Sequence, residues 1–221
     1  MPKSWDPIWN EVFLNQEWGK YPSENLIQFI ARNFYNTIRK DIKILEVGCG
    51  TGANLWYLSR EGFQAFGVDG SQEAVNQAYQ RLKNENLIAK IEVADIINLP
   101  FKDNYFDAVI DVECLYCNTL DNSFKILKEI KRVLKPFGKF YSRTFTDKMF
   151  IGQLKENNLL EYSKIDEGPL NGKGFVRLTS KETIKNFYGK NFLIESLDIL
   201  EYTSHNEKHK ISEWVIIGVN N

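Results

Sequence analysis

The sequence predicts an α/β fold in which a mostly parallel sheet carries helices on both faces. Three observations lead there. Strand-like apolar runs recur at 42–47, 64–69, 90–94, 106–112 and 139–145, stretches with helical apolar spacing separate them, and glycine or a capping residue marks the junctions. Strands that alternate with helices in this rhythm join by right-handed crossovers, which makes neighbours parallel and buries the sheet on two sides. At 221 residues and 43% hydrophobic content, the chain matches one large domain better than two small ones.

Taken in order, Ser23 follows Pro22 as a helix cap, and Leu26, Ile27, Ile30 and Phe34 then fall on one helical face. Ile42 to Val47 is the first buried strand, stopping at a glycine cluster. Ala53 to Arg60 is the next helix, Gly62 the turn, and Gln64 to Asp69 the second strand. Ser71 caps a helix with Ala74, Val75, Ala78 and Leu82 at helical spacing, followed by strands at Lys90 to Ala94 and Phe106 to Val112. Leu120 to Leu134 is helical and closes at Pro136 and Gly138, before a fifth strand at Lys139 to Phe145. From Thr146 to Leu178 the rhythm breaks, with Gly168-Pro169, Gly172 and Gly174, and such an excursion is a usual place for a substrate lid. Thr179-Ser180-Lys181-Glu182 opens a last helix, and Phe192 to Tyr202 with Ile211 to Val219 form a terminal hairpin that makes one strand antiparallel.

Composition excludes several classes. Lys plus Arg number 28 against 29 for Asp plus Glu, so no global positive field exists to hold a nucleic acid. No run approaches the ~20 apolar residues that span a bilayer. Three cysteines are too few for a disulfide scaffold, and with no signal-like start the expectation is a cytoplasmic protein, monomer or homodimer.

The strongest motif is Glu46-Val47-Gly48-Cys49-Gly50-Thr51-Gly52, at a strand-to-helix turn where side chains would block a ligand's approach to the backbone. Ala53 can stand for the third glycine of a dinucleotide fingerprint, so a nicotinamide-dependent oxidoreductase stays open at this point, as does a cofactor-binding protein without catalysis. Asp69 ends the second strand, where a carboxylate can accept from both ribose hydroxyls.

An acidic residue, a hydrophobic one and this alternating glycine pattern resemble the first motif of the class I S-adenosylmethionine-dependent methyltransferases. The likeness runs from about Ile42 to Phe145, roughly half the chain, and includes the turn ending in Pro136 and Gly138. It implies a Rossmann-like seven-stranded sheet, S-adenosyl-L-methionine as cofactor, and a site made by Glu46, Gly48, Cys49, Gly50, Gly52, Asp69, Gly70 and Ser71. It also implies that Asp95 accepts from the adenine amino group, that Ile96 packs on the ring, and that the residues after the fourth strand line the methyl-donor site. Asp111 and Glu113 are candidates there for the cofactor's ammonium or a substrate hydroxyl, with ordinary capping as the alternative.

The division expected is a helical lid over 1–40, a cofactor core over 41–145, a substrate-lid insertion over 146–178, and a closing helix and hairpin over 179–221. The start is aromatic, with Trp5, Trp9, Trp18 and Tyr21. The resemblance implies that it closes over the site so that Trp9, Trp18 and Tyr21 shield the sulfonium, with a hydrophobic staple on the first helix as the alternative, and Trp18 and Tyr21 count among the cofactor residues. Glu113, Tyr21 and His205 are candidate bases. The acceptor is expected to be a small or sugar-like molecule near Tyr116. Arg143 and Arg177, able to bind carboxylate or phosphate bidentately, point to an anionic one, with pairing of Arg143 to Glu113 or Asp111 as the rival reading. Cys114 and Cys117 with His205 and His209 have metal-like spacing, but their places in the sheet lie on the order of 14 Å apart, so no metal is expected.

Overall fold

The structure is a computed structural model that describes residues 4–154 and 160–221. The apolar runs form β1 (Lys43–Val47), β2 (Gln64–Asp69), β3 (Ala89–Val93), β4 (Phe106–Val112) and β5 (Leu134–Phe145), and the hairpin forms β8 (Leu193–Ser204) and β9 (His209–Val219). These seven make one sheet in the order β3-β2-β1-β4-β5-β9-β8. Pairing is parallel through β5, and β9 runs antiparallel to both β5 and β8. The sheet is the seven-stranded, Rossmann-like, mostly parallel one with an antiparallel hairpin strand that the sequence predicts.

Helices α1 (Ile8–Asn15), α2 (Glu24–Phe34), α3 (Ala53–Arg60), α4 (Gln72–Asn84), α5 (Leu120–Val133) and α6 (Lys181–Phe187) complete the regular elements. Successive strand residues face opposite sides. Ile44, Ala65 and Ala108 therefore pack with α2, α3 and α4. Leu45, Val47 and Phe66 pack with α5 and α6 on the other face.

Ser71 and Ser180 cap α4 and α6 by accepting from the N–H groups of Ala74 and Thr183. Ser23 precedes α2 but makes no such bond, which corrects the expected cap. Phe29, not Ile27, joins Leu26, Ile30 and Phe34 in the core, because tertiary packing rotates the buried stripe by half a turn's width. The described part of the insertion holds a two-stranded ribbon, β6 (Glu161–Tyr162) and β7 (Val176–Arg177), over its own apolar cluster with Tyr116, Phe145 and Met149. Residues 155–159 of the expected substrate lid lie outside the described residues.

Candidate active site

Strand order reverses between β1 and β4, and the crevice at the carboxyl ends of the strands there is where open α/β sheets hold ligands. The turn after β1 begins at Gly48, whose φ of +66° is left-handed. A Cβ on Gly48 would overlap the Sγ and Cβ of Cys114. Gly52, at φ +78°, admits α4 instead, since a Cβ there would lie 2.9 Å from that of Ala78. Gly52 and Ser71 thus shape the site without lining it: Ser71 is fully buried, its N–H donates to Asp69 and its hydroxyl to Asn10.

Asp69 locks this turn to the next one. Its carboxylate accepts from the Gly50 N–H at 2.8 Å and the Ser71 N–H at 2.8 Å. Burial pushes the carboxyl up, opposed by the N–H donors of Ser71, Gly50 and Gly70. Glu46 lies deeper, 2% exposed, with Oε1 accepting from Asn54 at 2.5 Å and Oε2 lacking a partner among the described residues. Burial pushes its pKa to about 8, with Asp69 and Asp111 adding to the rise and the Asn54 bond opposing it. An orphaned carboxylate oxygen in a cavity wall is a costly feature unless a ligand meets it.

The N-terminal segment covers this crevice. Ser4 donates both its backbone N–H and its hydroxyl to the Asp95 carboxylate, and the indole of Trp5 sits where a Cβ on Gly70 would be. Trp9, Phe13 and Trp18 pack edge to face as a lining wall, with Trp9 and Trp18 centroids 6.0 Å apart. Tyr21 is 73% exposed at the rim and rests on Trp56. Ile96 is buried and lines the cavity.

At the end of β4 the expected roles divide. Asp111 is fully buried and serves structure: it accepts from the N–H groups of Cys114 and Leu115 and from the Ser142 hydroxyl at 2.5 Å. That is capping, so it holds no cofactor group. Glu113, at φ +56°, faces the cavity in a conformation that residues with side chains rarely adopt, as strained functional residues often do. Tyr116 and Cys49 also line the cavity.

Two expectations are corrected, and for Arg143 the paired alternative holds. His205 is exposed at the hairpin tip and does not line the cavity, because the long β8–β9 ribbon carries it away. Arg177 is 1% exposed and donates to Asn118 O, Thr179 Oγ1 and the Ser123 hydroxyl, so its guanidinium is spent within the fold. Arg143 lines the cavity but is paired, with Nη2 at 2.6 Å from Glu213 and 3.2 Å from Glu113. The two arginines therefore do not form a free anion clamp. Among the described residues, no group of three or more His, Cys, Asp or Glu is placed to hold a metal ion, and the three cysteines are unpaired.

Sequence reasoning missed Glu213, Asn54, Asn118 and Ser4. Glu213 carried a signal, a charge inside the apolar run Ile211 to Val219, but its partner lies seventy positions away on another strand. Asn118 is 4% exposed, lines the cavity, and has an Oδ1 without a partner among the described residues.

The cavity measures about 340 Å³, within the range of small-ligand sites. Its wall carries Asp6, Glu46, Asp69 and Glu113, and Arg143 as the sole cation among the described lining residues. Such a wall, beside backbone left open at Gly48 to Gly50, fits a cofactor that carries positive charge at a sulfonium and an ammonium. Fold and site together define a Rossmann-like α/β domain with an acidic ligand cavity at the carboxyl edge of its sheet.

The comparisons agree. Residues 45–142 match the family described as the methyltransferase domain. Norajmaline N-methyltransferase of Rauvolfia serpentina is 33% identical over 108 residues, 47% of this chain and 36% of that protein. Methyltransferase GfsG of Streptomyces halstedii is 26% identical over 171 residues, 75% of this chain and 56% of that protein. The solved structure of a SAM-dependent methyltransferase from Methanosarcina mazei superposes with a TM-score of 0.70 at 22% identity, covering 90% of this chain and 98% of that one. Over residues 45–142 the chain is thus similar to the methyltransferase domain, and its fold is that of the Methanosarcina structure. It spans between about a third and a little over half of the length of the two curated relatives. No helix among the described residues is long and apolar enough to cross a membrane.

Proposed function

We propose that the protein transfers a methyl group from S-adenosylmethionine to a small molecule held between the sheet edge and the segments that cover it. The observation that carries this reading is the acidic cavity wall at the glycine turn, with Glu46 Oε2 unmatched. A nicotinamide dinucleotide would bring a pyrophosphate to a wall that carries Asp6 and Asp69 and whose one cation among the described lining residues, Arg143, is already paired, a placement that costs affinity. Small-molecule acceptors accord with the alkaloid named for the Rauvolfia relative, and a cavity of about 340 Å³ is of the size that holds a small ligand. A cytoplasmic location belongs to the same reading, supported by three unpaired cysteines.

Bound S-adenosylmethionine supplies an activated methyl on sulfur, so the chain's task is chiefly alignment and exclusion of water. In this proposal Glu46 takes the cofactor's ammonium, Asp69 the ribose hydroxyls and Ile96 the adenine face. Asp95 does not line the cavity and already accepts from Ser4 and the Ile97 N–H, so it holds the covering segment in place of the expected adenine contact. Cys49, Gly48, Gly50 and Gly70 contribute open backbone. Trp18 and Tyr21 close the mouth, and Tyr116 and Glu113 face the acceptor.

Calorimetry with S-adenosylmethionine and NAD in parallel tests the cofactor, and a labelled-methyl assay over a metabolite panel tests the transfer. Binding of NAD but not of S-adenosylmethionine overturns the reading.

A further inference from the structure

Beside the main cavity lies a second one of about 150 Å³, and the two share Trp18, Glu113 and Tyr116 as walls. The side cavity is otherwise apolar, lined by Phe145, Met149, Leu170 and Ile211, with Tyr202 at one side. Its remaining polar groups are Glu113, Glu213 and Lys173. The Lys173 ammonium donates to Gln16 and lies 4.6 Å from the Trp18 ring centroid, so it serves to clasp the insertion to the N-terminal segment.

Charge does not balance at the junction. Arg143 offers one guanidinium to two carboxylates, and gives Glu213 two bonds, from Nε at 2.9 Å and Nη2 at 2.6 Å. Glu113 is left at 3.2 Å from the same Nη2, with about a third of its side chain open. A second, independent feature points the same way: Asn118, 4% exposed on the same cavity wall as Glu113, has an amide oxygen that meets no donor among the described residues. Glu113 and the orphaned Asn118 oxygen are both short of donors, and Arg143, the one cation paired with the two carboxylates among the described residues, is already engaged.

We propose that the acceptor is a lipophilic amine, its apolar body in the side cavity and its nitrogen between Glu113, Glu213 and Asn118 at the junction. This rests on the methyl-transfer reading. An ammonium brings both the missing positive charge and N–H donors, whereas a carboxylate or phosphate would face two carboxylates. In the reaction the ammonium gives one proton to the Glu113–Glu213 pair, which frees its lone pair. The new N–C bond forms as the S–C bond breaks, the electron pair of that bond stays on sulfur as the thioether, and the product leaves as the N-methylated ammonium. Burial, with Glu113 close by, pushes the Glu213 carboxyl up in spite of Arg143, which favours Glu213 as the group that takes that proton.

The test is calorimetry on the whole protein, first with S-adenosylhomocysteine and then, on the saturated protein, with 2-phenylethylamine, 2-phenylethanol and phenylacetate. The amine should bind at least about tenfold tighter than the alcohol or the acid. In Glu113→Gln the preference should shrink to roughly threefold or less while S-adenosylhomocysteine affinity holds. Glu213→Gln, checked for an unchanged melting transition, should act likewise. If S-adenosylhomocysteine fails to bind, the methyl-transfer reading falls and this proposal with it. If it binds but the alcohol or acid matches the amine, if none of the three binds, or if the preference survives both variants, only the amine proposal is overturned.

Discussion

The two sides of the main cavity are built differently. The sheet-edge side consists of backbone and buried carboxylates at Gly48, Gly50, Asp69 and Glu46, held by N–H bonds within the turns that follow β1 and β2. The covering side consists of aromatic side chains from the N-terminal segment, several partly exposed, held by a few polar contacts such as Ser4 to Asp95, Gln77 to Phe13 O and Lys173 to Gln16. The first is fixed by crowding and has no room to adjust. The second rests on contacts that can separate one at a time, which suits a surface that must open for ligands to enter.

Substitutions sharpen that contrast. The largest effect is expected at Gly48, where Ala meets both the left-handed φ and Cys114. Gly48→Ala should lose about 3 kcal/mol or more in urea unfolding, and the double variant with Cys114→Gly should recover part of it by removing the overlapping atoms. A wild-type unfolding midpoint in the single variant would show that the close approach carries no energy.

Next in size is Asp69→Ala, which removes an acceptor for two N–H groups and, in the proposed function, for the ribose. Cofactor affinity should fall roughly 10- to 100-fold, corresponding to charge-assisted bonds of about 1.5–3 kcal/mol. Affinity equal to wild type by calorimetry would remove Asp69 from the site.

Glu46 gives a pH-dependent result. Its folded pKa of about 8 lies above the ordinary carboxyl value of 4.5, so the folded state holds the proton more tightly than the unfolded chain does. The stability this contributes is fully present below the unfolded value and is lost as pH rises through about 8. Glu46→Gln cannot lose a proton. It should therefore melt higher than wild type at alkaline pH, by an amount on the order of 2 kcal/mol or roughly 4–8 °C, and show little difference near pH 5. Its cofactor affinity should drop. Melting curves that differ by the same amount at both pH values would mean that the carboxyl does not titrate in this way.

The smallest effects belong to the cover. Trp5→Ala and Ser4→Ala should speed cofactor release by roughly threefold while melting stays within about 2 °C of wild type. Stopped-flow displacement measures the first, and a stability loss without faster release would make these residues part of the core. Val12 and Phe13 are already buried there, so deletion of residues 1–18 should damage fold as well as turnover.

Strands β2 and β4 and helix α3 were legible to the residue, because alternation and helical spacing are local signals and the glycines punctuate them. β5 runs five residues further back than its apolar run, since Leu134 pairs with Phe106 across a bulge, and no pattern within β5 announces that. In the site, Glu46, the glycines and Asp69 stand at positions defined by the turns that end β1 and β2. The expected roles of Asp111 and Arg177 failed because sequence position gives the residue type and the strand end but not whether a neighbour has already claimed the side chain. That of His205 failed because the length of the β8–β9 ribbon carries its tip away from the cavity.

The sequence by itself determined the order of strands and helices and the backbone opening at Gly48 to Gly52, because both follow from periodicity and from φ angles that only certain residues accept. Tertiary structure alone decided the charge at the acceptor end. Antiparallel pairing sets Glu213 of β9 opposite Phe145, two residues along β5 from Arg143 and on the same face, so a guanidinium and a carboxylate seventy positions apart become neighbours. The register that joins them is fixed by the burial of the whole hairpin against β5, a sum over many residues that no single motif contains.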